Sequence, residues 1–354
     1  MRNLTETYQN IADILSFKKN NSDLESHLKS PLIDWDAIVI QGSKHLVLPA
    51  IYCRLLVKKL THVLPSELNT YLKEITELNR NRNELILKQI LSLSQLLNEH
   101  KINYVFLKGS ALLISNLYTD KGERMIGDID ILIPKQQLNQ AFKLLKNHSY
   151  TPAEHTLGDD FFEHKHLPRL KTNKFICAVE LHRKLFMDYA DDDLRSTNIF
   201  KEKQTQHNIC IPSFNHLLKH NILNFQVNDN GNLYNNINFR SAYDTILLIK
   251  TKGLKPLWYN EKIIKDYNTI INLFFADTNG QIIDNQLFAK KFYLYKLKHP
   301  RFYKIWNRII TLKYNLKLIL NRIKFFCTNN AYRKAIIKDR KRITKRLTLL
   351  LKGS

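Results

Sequence analysis

Three acids in the middle of the chain are the residues best able to do chemistry. Asp128-Ile129-Asp130 opens the run ILI. In a strand, alternate side chains share a face, so these two carboxylates project together while Ile129 and Ile131 point the other way. Carboxylates about 6–7 Å apart on one strand repel unless a cation lies beside them. Mg²⁺ answers that need, being a hard ion held by one or two carboxylates and phosphate oxygens. For the DxD pair alone, a strand entry with solvated acids is the plainer alternative. Glu180 comes from a second β-prone run, Ala178-Val179-Glu180-Leu181-His182, where it shares a face with His182. If this strand lies beside the first, three carboxylates converge. That arrangement can hold one or two divalent ions for in-line displacement at phosphorus.

Upstream, the run Asn103 to Lys108 fits a short buried strand, and Gly109-Ser110 sits where it turns into a helix over 111–118. A glycine there lets a phosphate approach the backbone, and the first helical amides point outward as anion donors. Ser110 can add its hydroxyl or cap the helix; by itself such a turn is equally an ordinary strand-to-helix junction. Lys108 and Arg124 flank the acids and could offset triphosphate charge. His182 could orient Glu180 or touch substrate, or serve the core. His164-x-His166 and His216-x-x-x-His220 have zinc-compatible spacings but lack cysteine or acid company. Arg240 and Asp244 stand one helical turn apart, which suggests an i,i+4 ion pair.

The elements that must position these residues fall into four zones. Residues 1–102 read as an N-terminal helical region, with Leu85, Leu87, Ile90, Leu91, Leu93, Leu96 and Leu97 as its clearest stripe. Residues 103–183 change texture to short β-prone runs separated by loop and helix patterns, an α/β signature. Residues 184–300 return to helix, with HLLKHNIL and SAYDTILLIK most periodic and VNDNGN at 227–232 as a turn. Residues 301–354 form a basic amphipathic tail.

The order LKGSALL, Arg124, GDIDILI, VELHRKLF resembles the uncharacterised nucleotidyltransferases of bacteria, a branch of the DNA polymerase β-like superfamily. The resemblance is most specific at 105–132 and extends more loosely over about 30–250. It implies an α+β fold, a small mixed β-sheet nucleotidyltransferase core flanked by N- and C-terminal helical regions. It also implies that Gly109 and Ser110 hold an NTP triphosphate, with Lys108 and Arg124 beside them. Asp128, Asp130 and Glu180 would ligate Mg²⁺, or Mn²⁺ in its place, and carry catalysis. The implied reaction is transfer of NMP to an acceptor, a small molecule or sugar in the first instance. A protein side chain, as in nucleotide-adding antitoxins, is the alternative acceptor. The longer spacing from Ser110 to Asp128 and a glutamate as third acid depart from minimal superfamily members, yet all three carboxylates are present.

Composition limits the rest. The 354 residues carry a net charge of +23, but residues 301–354 hold 16 Lys+Arg against one acid, Asp339. With 44% hydrophobic residues, nine Gly and nine Pro, disordered and collagen-like classes are excluded. The four cysteines, Cys53, Cys177, Cys210 and Cys327, lie far apart and read as small buried hydrophobes. The first residues lack the apolar core of a secretory signal, and no apolar run reaches the ~18–20 residues of a membrane span. A cytoplasmic enzyme is expected, with a possible place at the inner membrane face. In the tail, Ile305, Ile309, Leu312, Leu316, Ile319, Leu320 and Ile323 follow helical spacing among lysines and arginines, and a second cationic stretch follows from Lys334. Three partners compete: the protein's own body, leaving a solvated cationic face; an anionic membrane touched through 302–352; and nucleic acid, the least favoured. From another class comes the rival that the chain is a membrane- or RNA-binding module with a vestigial core.

Overall fold

The computed structural model describes residues 4–153, 161–254, 261–278, 287–341 and 343–344. The chain begins with five helices: α1 (Leu4–Leu15), α2 (Asn21–Leu28), α3 (Trp35–Lys44), α4 (Leu48–Val57) and α5 (Ser66–Glu99). Asn20 accepts from the Ser22 N–H and Asp34 from the Ala37 N–H, pairing donors that a first turn leaves unsatisfied.

The 34-residue α5 departs from its sequence pattern in an informative way. Leu85 and Leu91 are exposed, and the buried face mixes Leu72, Ile86, Ile90, Leu93 and Leu97 with Thr76, Asn79, Asn83 and Gln89. The polar members have work to do. Asn79 Nδ2 donates to the Gly122 carbonyl at 2.7 Å, and Asn83 Nδ2 to those of Lys121 and Arg124 at 2.6 and 2.8 Å. Gln89 exchanges two hydrogen bonds with the Cys177 backbone, at 2.9 and 3.1 Å. A buried amide left unpaired costs about 1–3 kcal/mol, so these positions resist apolar replacement. The helix therefore clamps both segments that lead into the acid-bearing strands.

Five strands form one mixed sheet: β1 (Val105–Leu107), β2 (Ile129–Leu132), β3 (Thr151–Pro152), β4 (Leu170–Lys171) and β5 (Val179–His182), in the order β1-β2-β5-β4-β3. β1 runs antiparallel to β2, and β2 parallel to β5. Both β2 and β5 are buried along their whole length, as expected of strands covered on two faces. The helices α6 (Lys108–Ile114) and α7 (Leu138–Asn147) follow β1 and β2, and a separate hairpin joins Gln204–Gln206 to Ile209–Ile211. The expected α+β architecture, a mixed sheet with helices before and after it, is what the chain adopts.

Helices Phe214–Leu223, Phe239–Lys252, Lys262–Ile271 and Leu287–Lys298 pack beyond the sheet. The turn expected at 227–232 is shorter than its composition suggests. A π-helical segment carries the first helix on through Asn224–Asn228, and the chain breaks only at Asn230, whose φ is +58°. Apolar side chains from Ile11 through Phe106, Ile131 and Val179 to Leu248 and Leu297 form one continuous core. Cys53 and Cys177 lie in the interior as expected, Cys210 is half-buried, and Cys327 is exposed because its helix stands on the surface. Among the described residues, no helix is long and apolar enough to cross a membrane.

Candidate active site

The parallel pairing of β2 and β5 sets Asp130 opposite Glu180 and Leu132 opposite His182. Both carboxylates are nearly buried, with exposures of 5% and 8%. Donor atoms of Asp130, Glu180 and His182 all lie within 4.8 Å of one another, the cluster among the described residues suited to an ion. Asp128 sits one residue before β2 and outside that cluster. It joins through Arg169, whose Nη2 lies 2.9 Å from Asp128 Oδ2 and 3.1 Å from Glu180 Oε1. Three expected acids thus come together, two in direct register and one through a guanidinium bridge.

The surroundings keep the inner two acids ionised. Burial alone would raise the pKa of Asp130; Lys108, with its Nζ 2.6 Å from Oδ1, and His182, with its Nε2 at 2.8 Å, more than reverse this and hold it well below the usual range. For Glu180, burial and the Asp130 charge push upward, while the His182 hydrogen bond and the His166 charge bring the value down to about 2. Asp128 goes the other way: burial, with the Glu180 and Asp130 charges, raises it despite Arg169. His182 Nε2 faces Asp130 at 2.8 Å and Glu180 at 3.3 Å. Two carboxylates can only accept, so this nitrogen is the donor. His182 thus ties the Asp130 and Glu180 carboxylates together from one side.

The turn after β1 differs from its sequence reading. Helix α6 starts at Lys108 itself, which takes φ +50°, and Ser110 lies inside the helix instead of capping it. The left-handed conformation at a non-glycine residue is costly, and here it accompanies a lysine whose Nζ meets Asp130. Gly109 faces the cavity, and a Cβ there would stand 3.2 Å from Ile126 Cγ1, in the segment leading to Asp128. The Ser110 hydroxyl is buried, has no hydrogen-bond partner among the described residues and does not line the cavity.

That cavity, about 260 Å³, opens between the sheet and the C-terminal helices. Lys108, Gly109, Asp128, Asp130 and Glu180 form one wall; His220, Asn224, Asp229 and Arg240 belong to the other, and Arg124 reaches it as well. The Arg240–Asp244 pair suggested by spacing does not form. Asp244, fully buried, instead accepts from Arg124 Nε at 2.9 Å and from the Tyr118 hydroxyl at 2.6 Å. Helix packing turns Asp244 inward, toward a loop residue 120 positions earlier, and leaves Arg240 without an ion pair among the described residues. Burial first, then Arg124, lowers the pKa of Arg240 to about 10. Its guanidinium lines the cavity, with the Asp229 and Asp244 charges acting on it.

Among the described residues, neither histidine pair belongs to a cluster of three metal-ligating groups. His166 lies 3.8 Å from Glu180, while His216 faces Glu202 at 3.5 Å. His220 borders the cavity, edge-on to Phe186. Burial, then the Lys108 charge, lowers its pKa to about 3. The sign of the linkage follows. Between pH 6.5 and 3 the unfolded chain binds a proton that folded His220 refuses, so this stability is complete above 6.5 and falls with pH. The loss is about 1.4 kcal/mol per unit, or about 2 kcal/mol from pH 6.5 to 5. Urea unfolding at the two pH values should show it, and His220→Gln should lack that share of the change. An identical pH slope in the variant would contradict it.

Sequence reasoning missed Arg169 and the place of Arg240 in the cavity wall, without an ion pair among the described residues. Arg169 belongs to a stretch that pairs with β5, Leu167 donating to the Leu181 carbonyl and Leu170 standing opposite Val179. No local motif marks it. No curated protein matches the chain. With the carboxylates of β2 and β5, the turn after β1 and the helical wall in place, residues 31–260 match the family model for uncharacterised nucleotidyltransferases, and the chain belongs to that family.

Proposed function

We propose that the protein transfers an NMP group from an NTP to an acceptor hydroxyl, with the reaction centred on Asp128, Asp130 and Glu180. The observation that carries this reading is the register of β2 on β5, which sets two ionised carboxylates side by side in a cavity whose other charged groups are mainly basic. The donor set suits a divalent ion. Asp130 and Glu180 offer ionised oxygens, and Asp128 can swing in from Arg169. When bound, Mg²⁺ or Mn²⁺ would offset phosphate charge and polarise the α-phosphate.

The protein's own groups do the remainder. Lys108, Arg124 and Arg240 bind the triphosphate, with Gly109 giving the phosphates room beside the backbone. The described hydrogen bonds of Arg124 use Nε and Nη1, so Asp244 fixes its plane toward the cavity. As the acceptor oxygen bonds to the α-phosphorus, the bond to pyrophosphate breaks and the acceptor proton passes to solvent. A carboxylate held near 2 is a weak base at neutral pH, so Glu180 serves as an oxygen donor more than a proton acceptor. The far wall, with Asn224 and Asp229, offers donors and acceptors for hydroxyls, which favours a sugar or another small polyol over a protein side chain. Cytoplasmic NTP and Mg²⁺ would supply such an enzyme.

The test is labelled-NTP transfer in Mg²⁺ against a pool of small metabolites and lysate proteins, with Arg240→Met as the control. Losing one charge-assisted contact, about 1.5–3 kcal/mol, should raise the KM for NTP roughly tenfold to hundredfold. An unchanged KM would remove Arg240 from the site. Labelling of proteins alone would favour the protein-modifying alternative, and no transfer at all would favour the vestigial one.

A further inference from the structure

The basic tail touches the body, one of the three partners its sequence left open, yet keeps most of its aliphatic stripe off it. Helix Pro300–Thr328 spans 29 residues, roughly 43 Å at 1.5 Å per residue, and none of them is buried. It meets the body through polar and aromatic groups. The Tyr303 hydroxyl lies 3.1 Å from Asn236 Oδ1, and Thr311 Oγ1 2.8 Å from the Tyr234 hydroxyl. Phe325 packs on Phe162, and Arg322 stacks over the same ring at 3.3 Å. Ile319 of the aliphatic stripe is half-buried, and the rest of the stripe faces away. Ile305, Ile309, Leu312, Leu316, Leu320 and Ile323 are 41–58% exposed.

The helical period explains the pattern. At about 100° per residue these six positions fall on one face, over about five turns. Lys313, Lys317 and Lys324 fall along one flank of that face, and Arg301, Lys304 and Arg308 along the other. All six are exposed, and none makes an ion pair among the described residues. The helix contains no acid to offset them. An apolar stripe bordered on both sides by long cations is the layout of a helix lying in a lipid–water interface. Aliphatic groups enter the acyl boundary there, while lysine and arginine stems reach up to the headgroups. A nucleic acid would use the cations and leave the stripe in water. A second copy would have to set two fully cationic flanks against each other.

We propose that Pro300–Thr328 is an interfacial helix that binds the protein to an anionic lipid surface through this stripe. The inference stands on the tail alone and is independent of the chemistry proposed for the cavity. The second cationic stretch, from Lys334, is described only in part; Arg342 and residues 345–354 lie outside the described residues.

The full chain should co-sediment with vesicles of 30% phosphatidylglycerol in phosphatidylcholine, and at least tenfold less with pure phosphatidylcholine. Leu312→Asp with Leu316→Asp changes only exposed positions, so the fold is expected to persist by circular dichroism. This variant should weaken vesicle binding at least tenfold while leaving retention of a 20-mer RNA unchanged. As a second readout, emission of Leu316→Trp should shift to the blue with the anionic vesicles. No binding by the full chain would overturn the proposal. So would binding undiminished by the double substitution, or a dimer in sedimentation that the double substitution converts to monomer without any lipid affinity.

Discussion

Asp130→Asn is expected to abolish NMP transfer, with kcat/KM falling at least a thousandfold, about 4 kcal/mol of barrier. Phosphoryl-transfer sites work by charge placement, and Asp130 is the point on which the proposed site converges. Its Oδ1 meets both Lys108 and His182, and its carbon chain is fixed in a strand buried along its length. The amide keeps the shape but removes the negative charge. It also leaves Lys108 facing a neutral group, so divalent-ion affinity should fall together with the rate. The measurement is single-turnover transfer from labelled NTP across a Mg²⁺ titration, with thermal unfolding to show that the variant folds. Transfer within tenfold of the native rate, by a folded variant, would contradict the assignment of Asp130. Asp128→Asn should behave similarly in rate. Its side chain is more exposed and held by one guanidinium, so its effect on stability should be smaller.

Asp244→Ala should be the most destabilising single change near the cavity, by about 3–5 kcal/mol. The carboxylate is fully buried and accepts from Arg124 and Tyr118. Removing it strands the Arg124 guanidinium and the Tyr118 hydroxyl in the interior. The penalty is chiefly that of an uncompensated buried charge, not the net worth of the pair. Asp244→Asn keeps an acceptor and should cost clearly less. Chemical unfolding of the three proteins checks this order, and a loss below 1 kcal/mol for Asp244→Ala would show that Arg124 finds another partner. Because Asp244 sets the plane of Arg124, the alanine variant should also bind nucleotide more weakly than Asp244→Asn. A loss of stability without that difference would leave Asp244 a purely structural residue.

Both expectations depend on the same design. The carboxylates are held apart in charge by fixed cations, and those cations are held by groups distant in sequence. Lys108 reaches Asp130 across the sheet from β1, and Arg169 arrives from the stretch beside β5. Arg124 is locked from both ends, its carbonyl by Asn83 of α5 and its side chain by Asp244. The helical regions on either side of the sheet thus act on the chemistry through a handful of polar contacts. The stripe of asparagines and Gln89 on α5, which the spacing of its leucines concealed, is the N-terminal part of that support.

Short-range sequence determined the acids and the two strands that carry Asp130 and Glu180, but not the turn at Lys108–Ser110, where the helix begins one residue before the glycine. Strand alternation puts Asp130 on the cavity side of β2 and Glu180 beside His182 on β5, a periodicity that depends only on neighbouring residues, while Asp128, one residue before β2, is joined to them through Arg169. Short-range sequence also determined the helical character of the flanks and the amphipathic spacing of the tail. Tertiary structure decided which groups meet. Arg169 becomes a bridge only because its stretch adds to β5, and Arg240 has no ion pair among the described residues because helix packing turns Asp244 toward Arg124. The tail shows the same division. Periodicity gives one apolar face, but whether that face meets the body or the solvent depends on the body's surface, and Tyr303, Thr311 and Phe325 find partners there that the aliphatic stripe does not. Ion pairs and docking faces are contacts between segments far apart in the chain, so no local pattern encodes them.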